Sequence, residues 1–185
     1  MINFINLLTR NTTMDYDHSE FESEVFTGID FMSKSFAHSS FIGCTFENCN
    51  ISNIDVTNTK FHNSKFTNCK ILGLNFSNCN SFLIDFNFES CIISTCIFSN
   101  LKLKSTKFIH CKINDSDFEN NNLSHASFEG SQFKNTVFNK NNLSFASFIN
   151  AKNYTIDPSK NILKKAQFSQ PEVLNLLNVF DIDII

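Results

Sequence analysis

Large apolar residues recur at every fifth position of this chain. Phe21, Phe26, Phe31, Phe36, Phe41 and Phe46 are followed at the same interval by Ile51, Val56, Phe61, Phe66, Ile71 and Phe76. A spacing of five matches neither the 3.6-residue period of an amphipathic helix nor the two-residue period of a strand. It matches a chain assembled from short repeated units, and such a repeat has to be settled before any local element. The large residue of each unit is termed its centre.

A second spacing supports the first. All seven cysteines lie two residues before a position of the five-residue frame: Cys44, Cys49, Cys69 and Cys79, then Cys91, Cys96 and Cys111. That position holds a large centre for all but Cys79, which precedes Ser81. The later group belongs to a frame displaced by two residues, with centres Phe88, Ile93, Phe98, Leu103, Phe108, Ile113, Phe118, Leu123, Phe128, Phe133, Phe138, Leu143 and Phe148. Of the 23 phenylalanines, 17 occupy centres in one frame or the other, so the aromatic content is spent on the repeat. Where cysteine is absent, the same position often holds Ser64, Thr106, Ser116, Ala126, Ser131, Thr136 or Ala146. Each unit reads small–x–large–x–x. Between Tyr16 and Phe148 the only charges at a small or central position are Glu24 and Lys34. Two residues in five point inward and three outward, the burial logic of a solenoid wall.

In these units the sequence resembles the pentapeptide-repeat proteins. Cys44-Thr45-Phe46-Glu47-Asn48, Cys69-Lys70-Ile71-Leu72-Gly73, Ala126-Ser127-Phe128-Glu129-Gly130 and Asn121-Asn122-Leu123-Ser124-His125 carry the resemblance, which runs over residues 16–168. It implies an all-β fold, a right-handed quadrilateral β-helix with four units per 20-residue coil. The chain then divides into an N-terminal cap segment (1–15), the β-helix (16–168) and a C-terminal helix with its tail (169–185).

Glycine (4) and proline (2) are too few to make all the turns such a wall needs. Asn48, Asn58, Asn68 and Asn78 fall two residues after a centre, and asparagine tolerates the left-handed backbone of a tight corner. The odd number of cysteines and their shared position argue against disulfides and metal ligation, and predict a column of small buried thiols in a reducing cytoplasm. The first ten residues have neither the basic lead nor the apolar run of a signal peptide, and no segment is long enough to span a membrane.

Two breaks interrupt the pattern. Between Phe76 and Phe88 the frame slips by two residues near 77–83, with Leu83 as a plausible centre and Phe82 and Phe86 off the pattern. A bulge or small outward loop at one corner absorbs such a slip. After Phe148 the repeat falters at Asn153-Tyr154-Thr155-Ile156-Asp157-Pro158 and recovers at Leu163 and Phe168. Ser169 then reads as a helix cap, with Glu172 completing a capping box. Val173, Leu176, Leu177 and Phe180 follow at helical spacing, and Leu174, Val179, Ile182, Ile184 and Ile185 add further apolar surface. This tail is similar to that of the quinolone-resistance and microcin-immunity branch of the family, and the similarity implies a dimer interface made by Val173, Leu174, Leu176, Leu177, Val179, Phe180, Ile182 and Ile184.

Charge is uneven. Residues 1–50 balance at −5 and residues 51–185 at +2, within a total of −3. Asp15, Asp17, Glu20, Glu22, Glu24 and Asp30 hold most of the excess, and all but Glu24 stand at outward positions that suit an acidic partner-binding face. No phosphate loop, nucleophile elbow or HExxH motif is present. His18 and His38, twenty residues apart, are predicted to stack on successive coils without a third ligand to hold a metal. The expectation is a non-enzymatic interaction protein with no cofactor and no metal. The family resemblance adds a homodimer that imitates DNA, binds DNA gyrase or topoisomerase IV and protects it from quinolones or a peptide toxin, without contacting nucleic acid itself. The other reading is a generic scaffold for a different protein partner.

Overall fold

The computed structural model describes residues 16–183. The expected N-terminal cap, Asp15, Ile184 and Ile185 lie outside them. Residues twenty apart pair side by side: Phe21 with Phe41 and Phe41 with Phe61, Phe26 with Phe46 and Phe46 with Phe66, Ile51 with Ile71. The described ladders are all parallel, and four units close one coil. The result is a four-sided parallel β-solenoid of about seven turns.

Its four sides follow in chain order. Face 1 carries Glu20–Glu22, Ser40–Ile42 and Lys60–His62, then the bridges that join Lys102, Asn122, Asn142 and Ile162. Face 2 carries Val25–Thr27, Thr45–Glu47, Ser64–Thr67, Phe86–Glu89 and Phe108–Ile109, and near its end Ser147–Phe148 and Gln167–Phe168. Face 3 is built from Asn50–Ser52, Lys70–Leu72, Ile92–Ser94, Lys112–Asn114 and Gln132–Lys134, and face 4 from Ile97–Ser99, Asp117–Glu119, Val137–Asn139 and Thr155–Ile156. The edges between faces use left-handed backbone, as at Asn48, Asn58 and Asn68 (φ 55, 54 and 54). Asn78 does not, because it ends a short 3₁₀ turn, Phe76–Asn78.

The centres fill the interior as ladders of rings. On face 2, Phe26, Phe46, Phe66, Phe88, Phe108, Phe128, Phe148 and Phe168 stack in sequence, with centroids 4.8–5.1 Å apart. Across the bore they meet the face 4 ladder edge-on, Phe98 against Phe108 at 88° and Phe118 against Phe128 at 89°. Both arrangements suit the ring quadrupole. The small position has its own rule: its side chain donates to the carbonyl of a centre one coil back. Thr59 Oγ1 donates to Phe36 O (2.8 Å), Ser64 Oγ to Phe41 O (3.0 Å), Cys69 Sγ to Phe46 O (3.3 Å) and Asn121 Nδ2 to Phe98 O (2.8 Å). Cysteine, serine, threonine and asparagine interchange there because each is compact and supplies a donor. All seven cysteines are buried free thiols. Glu24 and Lys34 escape burial because they stand in the first coil, where Glu24 is exposed and Lys34 half-buried.

The frame slip resolves into a jog on face 1. Register holds as far as Asn80, whose N–H donates to Thr59 O at 2.9 Å. It resumes where Phe86 pairs with Ser64 and Phe88 with Phe66, an offset of twenty-two. The slack therefore lies in residues 81–85, at the C-terminal side of the expected window. The 3₁₀ turn Ser81–Leu83 swings outward, leaving Phe82 89% exposed. Phe86 stands at a small position, yet it is fully buried, 5.3 Å from the Phe76 ring and 5.1 Å from Phe88. It fills the volume that the displaced unit vacates.

The second break is a shortening. Val137 pairs with Thr155 and Phe138 with Ile156, an offset of eighteen, and the twenty-residue register returns where Asn142 bridges Ile162. Tyr154 takes the next inward place, buried at 1% exposure. The tail departs from the capping-box reading. Glu172–Phe180 is a 3₁₀ helix with Pro171 at its N-cap and no side-chain cap. Ser169 Oγ instead accepts from Asn150 N (2.9 Å), and the Glu172 carboxylate accepts from Asn153 N (3.3 Å). Both side chains cap the open edge of the last coil, where backbone donors lack a following strand.

Candidate partner-binding faces

The expected acidic face is not one surface. Glu20 and Glu22 lie on face 1. Asp30, which accepts from Asn50 Nδ2 at 2.9 Å, lies on face 3. Asp17 occupies the face 4 side, beside His18 at 3.2 Å. Successive outward positions in one coil turn through successive faces, so acids clustered in sequence form a ring around the first coil. His18 and His38 do stack, with centroids 4.7 Å apart, and no group of three or more His, Cys, Asp or Glu that could hold a metal occurs among the described residues.

A different set of carboxylates shares a side. Asp55, Asp117, Glu119 and Asp157 all stand on face 4. Hydrogen bonds from the Thr57 side chain and backbone hold Asp55 below the usual carboxylate range. Those from Ser159, with help from Lys160, do the same for Asp157. Glu119 accepts from Asn139 Nδ2 at 3.2 Å. Along this side runs an open groove of about 920 Å³, bordered at its far end by the terminal helix. Its floor offers Ile97 and Val137 on either side of Asp117, and its lining includes Glu119, Asp157 and Val179. Ile97, Val137 and Val179 are 40%, 52% and 42% exposed. These carboxylates are dispersed in the chain, and only following the register from coil to coil brings them together.

The remaining sides are basic or mixed. Face 3 presents Lys70, Lys112, Lys134 and Lys152, and face 1 presents Lys102, Lys104 and Lys164 beyond its acidic end. Face 2 mixes both signs, with Lys65 paired to Glu89 at 3.5 Å.

The expected interface residues at the C-terminus divide in two. Val173, Leu176 and Leu177 are half-buried, and Leu176 packs against the core. Leu174, Val179, Phe180 and Ile182 are 43%, 42%, 56% and 55% exposed. Phe180 thus departs from the other members of the stripe read at helical spacing, Val173, Leu176 and Leu177, which are half-buried. With three residues per turn instead of 3.6, Val173 and Leu176 align with Val179, whereas Phe180 aligns with Leu174 and Leu177.

Comparison with known proteins agrees with this geometry. The pentapeptide repeat region family matches residues 75–148, and the pentapeptide repeats (8 copies) family matches residues 39–80. Two structures of trypsin-treated variants of QnrB1, a plasmid-mediated fluoroquinolone resistance protein, share the fold. They align over 92% of both chains with TM-scores of 0.55 and 0.56, at 17% and 16% identity. HetL, a pentapeptide repeat protein involved in heterocyst differentiation regulation in the cyanobacterium Nostoc, aligns over 84% of this chain and 87% of its own, with a TM-score of 0.45 at 10% identity. No curated protein matches in sequence. The repeat matches run without a break from residue 39 to residue 148, across the frame slip, and the chain belongs to the pentapeptide-repeat proteins.

Proposed function

We propose that this protein is a non-enzymatic binding rod that presents fixed negative charge to a type II topoisomerase, DNA gyrase or topoisomerase IV, and shields it from quinolones or a peptide toxin. The observation that carries this reading is face 4, where Asp55, Asp117 and Glu119 stand on one sheet surface, with Asp157 at its end paired to Lys160 at 3.2 Å. Carboxylates held at multiples of the ~4.8 Å strand spacing offer a phosphate-binding protein a regular lattice of charge. About seven coils give a rod near 34 Å long, comparable to one turn of duplex. Two copies joined through the exposed residues of the terminal helix double that length. The fold shared with a fluoroquinolone resistance protein supports the reading. The acidic ring of Asp17, Glu20, Glu22 and Asp30 then marks the two tips of the dimer.

The test is supercoiling by purified gyrase with a fluoroquinolone, with and without the protein. Protection is expected from the native chain and not from Asp117→Lys/Glu119→Lys, whose exposed substitutions leave the core intact. Equal protection by both, or none by either, refutes the charge-mimic reading. A groove with an apolar floor inside an acidic rim also suits a basic protein segment unrelated to topoisomerase. That reading predicts salt-sensitive capture of a cationic amphipathic peptide with no effect on supercoiling.

A further inference from the structure

Face 1 changes character along the rod. Its first strand carries Glu20 and Glu22, but beyond the second coil its outward charges are Lys60, Lys102, Lys104 and Lys164. Between residue 60 and residue 165 this face and its edge hold one carboxylate, Asp85 at the end of the jog. None of these four lysines joins an ion pair among the described residues. The turn that carries Phe82 packs beside the Lys60–His62 strand, one coil before Lys102 and Lys104 on the same face. Asn80 steadies the turn by accepting from Phe82 N at 3.3 Å, yet the ring remains 89% exposed. At the edge of the same face Phe145 adopts a left-handed backbone (φ 60), a conformation unusual for a bulky residue. Its half-exposed ring stacks on His125 at 4.8 Å, and Lys165 Nζ lies 5.7 Å from its centroid.

We propose that face 1 beyond its acidic end binds single-stranded nucleic acid, with the lysines meeting phosphates and Phe82 stacking on a base. Aromatic rings interleaved with cations along a track are the means by which proteins hold unpaired strands. The track from Lys60 to Lys164 covers five coil steps, about 24 Å, room for about four nucleotides, the low end of known site sizes. A flat sheet has no ridge to enter a duplex groove, so an unpaired strand fits better than a double helix. A membrane surface fits less well. Asn122, Ser124, Asn142 and Ser144 occupy the middle of the face and would lose water there without new partners. The family resemblance implied no contact with nucleic acid, but the net charge of −3 averages over sides of opposite sign.

The test is fluorescence anisotropy of the intact chain with a short fluorescein-labelled oligothymidylate in low-salt buffer. A duplex of equal length and phosphatidylserine-containing vesicles serve as comparisons. The oligothymidylate is expected to bind, with a log–log salt slope of about −2 to −3. Lys102→Glu/Lys104→Glu should weaken it at least tenfold, and Phe82→Ala about tenfold, with thermal unfolding unchanged because all three side chains are exposed. The chain has no tryptophan, so Phe82→Trp supplies a lone reporter whose emission the oligonucleotide should quench. Absence of binding, preference for the duplex, capture by vesicles alone, or binding indifferent to Phe82→Ala would each overturn the proposal.

Discussion

The backbone N–H of Asn121 donates to the side-chain oxygen of Asn141, one coil farther on, at 3.0 Å. The Asn141 amide nitrogen reaches back to Phe118 O at 2.8 Å. Leu101 N leans on Asn121 and Asn141 N on Asn161 in the same way, at 2.8 and 2.9 Å. This buried column links four coils by bonds that no alanine could supply. Asn141→Ala strands a buried donor on Asn121 and removes the side-chain bond to Phe118 O, so it should cost about 2–3 kcal/mol. Asn139→Ala, which loses only the outward contact with Glu119, should stay within about 0.5. Urea unfolding of the two variants checks the difference, and similar midpoints would refute the role given to the column.

The aromatic ladders set a second contrast within one strand. Phe66 is 2% exposed and stacks between Phe46 at 4.8 Å and Phe88 at 5.1 Å. Truncation to alanine should cost about 3–5 kcal/mol. Its neighbour Lys65 makes an exposed pair with Glu89, worth at most about 1 kcal/mol. Lys65→Ala should therefore leave the midpoint almost unmoved.

Much of this architecture was legible in the chain, because a five-residue unit fixes which two side chains face inward wherever it is repeated. Phe31, Phe36, Phe41 and Phe46 read as centres and are fully buried. What the period could not convey was lateral placement. Asp17, Glu20, Glu22 and Asp30 are neighbours in sequence but are spread over three sides, while Asp55 and Asp117 lie far apart in the chain and share one. Proximity in sequence encodes position around the coil, and proximity on a face is encoded at intervals of one coil, twenty residues except at the two breaks. Ser169 and Glu172 were misread for a related reason. Their spacing suits a helix cap, but the unmet donors of Asn150 and Asn153 on the last coil compete for the same side chains.

The buried thiols give the fold an alkaline limit. Burial pushes the Cys96 thiol from 9.0 up to about 11, and Cys79 is raised further by the same cause. A group whose pKa is higher in the folded state contributes stability that is complete below its unfolded value and lost as pH rises through the folded one. Melting temperature should therefore hold level from neutral pH to about 9 and then fall, with Cys96 alone accounting for up to about 3 kcal/mol by pH 11. Cys69 and Cys111, each 1% exposed, should react with a thiol reagent only on unfolding. Rapid labelling of the native chain would mean the wall opens locally.

Tyr154 points to a gain in stability. Its hydroxyl is buried without a hydrogen-bond partner among the described residues. Burial, with the Glu172 carboxylate adding to it, raises its pKa to about 12. Removing a polar group that has no partner removes a desolvation cost, so Tyr154→Phe should be neutral or stabilise by about 1 kcal/mol. A loss above about 1 kcal/mol would show that the hydroxyl has a partner after all.

The last prediction concerns how two rods join. Leu174, Phe180 and Ile182 remain 43%, 56% and 55% exposed at the end of the wall, an apolar patch that single chains seldom leave open to water. A two-fold axis through the terminal helix would cover both copies' patches and place the acidic first coils at opposite tips. Deleting residues 170–185 is an ambiguous test, because it also removes Glu172 from Asn153 and Leu176 from the core. Leu174→Arg and Phe180→Glu change only the exposed side. Light scattering at tens of micromolar should give a dimer for the native chain and a monomer for Leu174→Arg/Phe180→Glu, with the β signal unchanged. A native chain that is monomeric under those conditions removes the dimer, and with it half the length on which imitation of a duplex depends.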